Sequence, residues 1–271
     1  MNVTVSEPRF STVGIVGAGA MGRGIAQIAA QAGSTVLFYD TDPQAVAKAR
    51  DAIGVQWDKL SAKGRMAADA VAICKARLKP AMTLADLKDC PLVVEAAVER
   101  LDVKQKIFDA LENIVAPDAI LATNTSSLSV TAIAAALKYP ARLAGYHFFN
   151  PAPLMKVVEV VAGLKTSVGA CQALTEYARQ MGHTPVQTGD TPGFIVNHAG
   201  RGYSTEALRI VGEGVADFAA IDRILKDQAG FRLGPFELFD LTALDVSHPV
   251  MESIFRQYYD EPRYRPSVIT A

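Results

Sequence analysis

Apolar and polar positions change period several times along the chain, and each change marks an element. Residues 12–16 are a short apolar run rich in β-branched side chains, ending in Gly17-Ala18-Gly19-Ala20-Met21-Gly22. Helical spacing follows at Ile25, Ile28, Ala29 and Ala32 and stops at Gly33, and residues 35–40 predict a second buried strand. Strand, glycine turn, helix and strand within about 30 residues make a βαβ unit, with a parallel sheet and a right-handed crossover. Residues 43–78 predict two helices broken around 61–64, a longer excursion than a crossover needs. Strands are predicted near 82–84, 92–95, 119–122 and 142–147, with helices at 99–113 and 129–137. A strand at 154–160, a helix at 168–181 and a short strand at 184–187 complete the alternation.

The period changes between Thr188 and Gly193. From residue 194 the pattern is helical without interruption to 211, with further helices at 218–228 and 235–258. The expected organisation is therefore α/β: a mostly parallel sheet with a helical insertion over 1–189, then a smaller all-α domain over 190–271. A helical domain of about 80 residues is marginal alone and is expected to gain stability by packing on a partner.

Composition narrows the class. The chain has 271 residues, 50% hydrophobic and 20% charged, with a formal net charge of −1. Disorder is excluded, and there is no general attraction to nucleic acid or to an anionic membrane. No apolar run approaches the roughly 18 residues of a membrane span, and residues 1–9 lack the regions of a signal peptide. Cys74, Cys90 and Cys171 are scattered and odd in number, neither a disulfide framework nor a zinc motif. A reducing cytoplasm is the expected compartment.

Three glycines carry the first chemistry. Gly17 permits a tight turn, Gly19 lets backbone approach a pyrophosphate, and Gly22 lets the helix pack close to the strand. Because the motif follows a strand, opens a helix and is followed by Asp40 at the end of the next strand, it reads as a Rossmann-type dinucleotide site. A carboxylate at Asp40 accepts from both ribose hydroxyls and repels a 2′-phosphate, and Thr41 and Asp42 offer no cation, so NAD is expected over NADP.

Among the four histidines, His183 and His248 read as surface residues, and no pair has metal-ligand spacing. His147 ends a predicted strand, where such sheets bind ligands. Glu159 lies among valines, where a carboxylate is costly unless paired. Paired, Glu159 would fix the tautomer while His147 takes a proton. The alternative is a surface Glu on an edge strand and an unrelated loop His. Asn124-Thr-Ser-Ser127 falls on the same rim and could face a substrate oxygen or a ribose, but as a pattern it favours a helix cap.

The segments ending in Gly22, Glu99, Leu128 and Glu159, together with Asp190-Thr-Pro-Gly-Phe-Ile-Val-Asn197 and Gly234-Pro-Phe-Glu-Leu-Phe-Asp240, resemble the L-3-hydroxyacyl-CoA dehydrogenase family over nearly the whole chain. The resemblance is strongest to the phenylacetate and butyrate branches, which handle 3-hydroxyadipyl-CoA or 3-hydroxybutyryl-CoA. It implies NAD-linked oxidation of a 3-hydroxyacyl-CoA, with His147 as general base and Glu159 as its orienting carboxylate. Ser126 and Asn197 would bind the substrate oxygen, and Asn150 the nicotinamide end. Glu99, Lys104 and Asn124 would sit by the cofactor, along with the glycine-turn residues Gly17, Ala18, Gly19, Ala20, Met21 and Gly22. Residues 43–78 would form a CoA-binding arm, with Lys63 at a CoA phosphate; for Lys63, Lys59 and Arg65 a solvated helix face is the alternative. A homodimer through the helical domain is also implied.

Two departures stand out. The family usually has Arg after the Asn at 197, where this chain has His198. Longer relatives also continue into a basic segment ending in Gly-Phe-Tyr, so this chain is expected either to be part of a longer protein or to close its helical domain differently. The rival enzyme class, β-hydroxyacid dehydrogenases, needs a lysine where Gly200 stands. A catalytically silent nucleotide-binding relative is the non-enzymatic alternative.

Overall fold

The computed structural model describes residues 8–271; residues 1–7, part of the stretch read for a leader, lie outside the described residues. The chain forms two compact units, Met1–Asp190 and Thr191–Ala271.

The first unit is built on one sheet. Its strands are β1 (Thr12–Val16), β2 (Thr35–Tyr39), β3 (Leu78–Pro80), β4 (Leu92–Glu95), β5 (Ile120–Thr123), β6 (Leu143–Phe148), β7 (Val157–Ala162) and β8 (Thr184–Gly189). They lie in the order β3-β2-β1-β4-β5-β6-β7-β8. Every pairing is parallel except β6 with β7. The order reverses between β1 and β4, and the crevice beyond the carboxyl ends of such strands is where doubly wound sheets hold ligands.

The helices of this unit are α1 (Ala20–Gln31), α2 (Pro43–Ala62), α3 (Ala68–Arg77), α4 (Leu101–Glu112), α5 (Val130–Ala134) and α6 (Val168–Gln180). Apolar runs such as Val13, Ile15, Val36 and Phe38 are fully buried against Ile25, Ala26 and Ala29 of α1. Each large apolar side chain so enclosed stabilises the fold by roughly 1.5–3 kcal/mol. Asp42 starts α2 by accepting from the Gln44 amide, with Pro43 in the first turn. Trp57, fully buried, fixes α2 to the same core.

Several predicted boundaries move. The strand expected at 82–84 forms instead at Leu78–Pro80, because Asp86 takes the Met82 and Thr83 amides to cap a 3-10 turn. β7 begins at Val157 because the Leu154 and Met155 amides bond back to Pro151 O. The helix expected at 129–137 is only Val130–Ala134.

The second unit holds α7 (Val196–Ala199), α8 (Arg201–Gly212), α9 (Phe218–Ala229), α10 (Pro235–Thr242) and α11 (Leu244–Gln257). The helix expected without interruption from 194 does not form as such. Gly193 and Phe194 are left-handed (φ 79° and 51°), so helix begins only at Val196, and a turn residue, Gly200, separates α7 from α8. The 235–258 pattern likewise splits at Ala243, where φ is 64°. Leu208, Phe239 and Met251 form this unit's own small core. No described helix is long and apolar enough to cross a membrane.

Candidate active site

The glycine turn builds a cradle. Gly17 has φ 106°, and a Cβ there would lie 2.5 Å from Ala96 O. A Cβ at Gly22 would lie 1.8 Å from Gly17 O, so only glycine lets α1 start this close to β1. Gly19 is the N-cap of α1, offers no side-chain cap, and no acidic residue occupies the first turn. The first amides of α1 are therefore available to a phosphate, and the helix dipole favours one.

Asp40 closes the cradle from the end of β2. Its Oδ2 accepts from the Ala18 amide at 2.7 Å, and its Oδ1 from the Asp42 amide at 3.0 Å. These bonds set the carboxylate at the wall of a cavity of about 500 Å³ that includes Gly17, Gly19, Leu84, Val98 and Ile107. An apolar slot with one carboxylate at its edge suits an adenosine whose ribose hydroxyls need an acceptor. Ala18 is buried, Ala20 is exposed and Met21 half-buried on the first turn of α1.

The second cluster lies across β6 and β7. Antiparallel register puts His147 directly opposite Glu159. His147 is 5% exposed and Glu159 fully enclosed, with Nδ1 to Oε2 at 2.6 Å. An ionised carboxylate can only accept, so Nδ1 carries the hydrogen and Nε2 is the basic nitrogen. The edge-strand alternative fails because β7 lies inside the sheet, between β6 and β8.

A third cluster was only partly visible in the sequence. Lys104 on α4 is 1% exposed and donates to Glu95 Oε1 at 2.6 Å, with Glu99 Oε2 at 3.4 Å. Glu95 also accepts from the Ala97 amide and the Thr123 hydroxyl. Glu99 Oε1 accepts from Thr125 Oγ1 at 2.6 Å, the Ser126 amide at 2.8 Å and the Ser127 amide at 3.0 Å. Burial acts to raise the Glu99 carboxyl, but the Lys104 ammonium and these donors outweigh it and hold Glu99 below the usual carboxylate range. Lys104 is thus enclosed by two carboxylates, one of them Glu99. Glu95 went unassigned, although a carboxylate ending an apolar strand is the same signal that flagged Glu159.

The turn after β5 is not the cap its pattern favoured. Ser129 caps α5, accepting from the Ala132 amide, and Asp190 accepts from Ser129 Oγ and from the Val130 and Thr131 amides. Asn124 Oδ1 instead accepts from the Phe148 amide at 2.9 Å, tying β5 to the residue after His147. Ser126 is half-buried on this turn, held by Glu99.

Asn150 is exposed at the mouth of a cavity of about 770 Å³ walled by α1, α2 and residues 150–156, with Arg23 and Lys156 among its lining. The α2 residues lining it are Ala52, Ile53, Gln56 and Leu60; Lys63 lies beyond them, exposed at the C-cap. His183 is not a surface residue: it is 5% exposed, its ring bridging Met181 O and Ala152 O. His248 is half-buried with Nδ1 2.9 Å from Thr270 Oγ1. In the second unit Asn197 is half-buried on α7. Its neighbour His198, at the position of the family's usual Arg, packs its ring near Tyr258 and Tyr264, with Tyr258 OH 2.8 Å from Nδ1.

The comparisons agree with this geometry. Residues 12–191 match the model of the 3-hydroxyacyl-CoA dehydrogenase NAD binding domain, and 193–271 that of its C-terminal domain. A 3-hydroxyadipyl-CoA dehydrogenase of Escherichia coli (strain K12) is 44% identical over 95% of this chain, which spans 54% of that protein's length. A probable 3-hydroxybutyryl-CoA dehydrogenase of Deinococcus radiodurans is 41% identical, with 94% of this chain and 91% of that protein covered. The crystal structure of (S)-3-hydroxybutyryl-CoA dehydrogenase PaaH1 from Ralstonia eutropha superposes with a TM-score of 0.93 at 38% identity, covering 96% of this chain and 92% of that one. The chain belongs to the 3-hydroxyacyl-CoA dehydrogenase family.

Proposed function

We propose that the protein catalyses reversible, NAD-linked oxidation of an (S)-3-hydroxyacyl-CoA to the 3-oxoacyl-CoA. The observation that carries this reading is the buried His147–Glu159 pair, 2.6 Å apart across β6 and β7 in the sheet that also carries the dinucleotide cradle. Bound NAD supplies a hydride acceptor for the hydrogen on C3. His147 Nε2 takes the C3 hydroxyl proton as the C–O bond closes to a carbonyl. Glu159 holds the imidazole in the reactive tautomer and stabilises the imidazolium that results. Ser126 and Asn197 are assigned to the substrate oxygen, and Asn150 to the nicotinamide end. Glu99 and Lys104 are assigned to the cofactor side, where Glu99 also holds the 125–127 turn. NAD is preferred to NADP because Asp40 would face a 2′-phosphate with no cation beside it.

The 770 Å³ cleft, with Arg23 and Lys156 in its lining, gives room and positive charge for a CoA arm, and exposed Lys63 is the candidate for a CoA phosphate. Relatives named for 3-hydroxybutyryl-CoA and 3-hydroxyadipyl-CoA set the two tail classes to compare. Exposed apolar residues of the helical unit, including Leu241 at 72% and Ile224 at 54%, support a homodimer through that unit. Three buried free thiols support a cytoplasmic setting. The test is NADH oxidation with acetoacetyl-CoA and 3-oxoadipyl-CoA, with NADPH in parallel. NADH-linked turnover is expected; no oxidation with either thioester would overturn the reading.

A further inference from the structure

Arg142 and Arg201 are equally buried, each 8% exposed, and they are held very differently. Arg142 donates to Ala116 O at 2.8 Å and Glu112 O at 2.9 Å, with the Glu112 carboxylate 3.8 Å away. Arg201, the first residue of α8, has no carboxylate, carbonyl or ring face on its guanidinium among the described residues; its Nε, like that of Arg142, is enclosed with no acceptor. Burial alone pulls its pKa below the ordinary arginine value, with no charge to offset it. A buried cation without a counter-ion is costly, and the cost is recovered where a ligand brings the anion.

Its place on the helix says which ligand. Gly200 is a turn residue between α7 and α8, but its dihedrals are right-handed helical and its amide bonds to Val196 O, so the chain keeps its helical sense from one helix to the next. Asn197 and Arg201 therefore stand one turn apart on one face, which continues through the buried Ser204, Thr205 and Leu208. We propose that Arg201 is the specificity residue that reads a carboxylate at the far end of the acyl chain, making a six-carbon 3-hydroxydicarboxylyl-CoA the preferred substrate. This rests on the proposed function, in which Asn197 holds the oxygen on C3. Side chains one turn apart are about 5–6 Å apart at Cβ, and C3 lies about 4 Å from a C6 carboxyl carbon across three C–C bonds. The spans match closely enough for one helix face to hold both ends of the chain. The planar fork of arginine suits bidentate recognition of a carboxylate, where an ammonium would be a point charge.

The test is steady-state reduction by NADH of 3-oxoadipyl-CoA and of 3-oxohexanoyl-CoA, which has the same chain length without the carboxylate. Wild type, Arg201→Met and Arg201→Lys are compared, with NADH binding followed by fluorescence and subunit mass by sedimentation. Removing an unpaired buried charge while keeping its volume is compatible with folding. Arg201→Met is expected to lower kcat/KM for 3-oxoadipyl-CoA by about 10²-fold and to spare 3-oxohexanoyl-CoA, with Arg201→Lys in between. Wild type with no preference for the carboxylated tail overturns the proposal. So does an equal loss on both substrates, and if the subunit mass falls with it, the missing anion belongs to a second copy of the chain. Wild type inactive on both thioesters would instead overturn the activity on which the proposal rests.

Discussion

Two buried charge clusters in the α/β unit solve the same energetic problem in opposite ways. Across β6 and β7 the His147 imidazole faces the Glu159 carboxylate at 2.6 Å. Between β4 and α4 a lysine lies between two carboxylates, and those carboxylates take donors from Ala97, Thr123, Thr125, Ser126 and Ser127. Both pairs are withdrawn from water and so must be matched to be tolerated. An imidazole can accept a proton on one ring nitrogen while the other holds its carboxylate, whereas an ammonium only donates and its partners are committed to geometry. Under the proposed function, the same ingredients serve proton transfer in one place and brace a loop in the other.

The sharpest way to break this contrast is Lys104→Met. It leaves Glu95 buried without its cation, and stability should fall by about 3–5 kcal/mol in denaturant unfolding. A loss below about 1 kcal/mol would mean that the ion pair does not brace the turn. Glu159→Gln keeps shape and hydrogen-bonding capacity but removes the charge that orients the imidazole. Turnover should drop by about 10²-fold while NADH affinity holds, and parallel losses in both would make the pair structural. Smaller still is Asp40→Ala, which touches neither cluster. NAD should bind about tenfold more weakly and its advantage over NADP should narrow, as titration with each cofactor would show. An unchanged ratio would remove Asp40 from the ribose.

The sequence was most legible where local rules and the final fold agree. The glycine turn, α1 and β2 follow from periodicity because strand, turn and helix are all short-range decisions. Glu159 could be found because a carboxylate among valines has no solvated option. Glu95 obeys the same logic but sits at a strand end, where a polar residue looks unremarkable until Lys104 arrives nine positions later on α4. Lys104 is singled out only by the family resemblance, since helical spacing does not say which face meets the sheet. His183 was misplaced for a related reason: its partners, Met181 O and Ala152 O, are backbone atoms that no side-chain pattern announces. In the helical unit the breaks at Phe194 and Ala243 need positive φ at non-glycine residues, which propensity does not anticipate.

The central claim is that His147 moves the substrate proton while the rest of its cluster holds it in place. Single-turnover oxidation of NADH by a 3-oxoacyl-CoA, wild type against His147→Gln, tests it directly, with NADH affinity measured on the same samples. The account predicts a 10²–10⁴-fold slower hydride step at nearly unchanged affinity. A His147→Gln protein that turns over at the wild-type rate, or that loses NADH binding in proportion to rate, would contradict it.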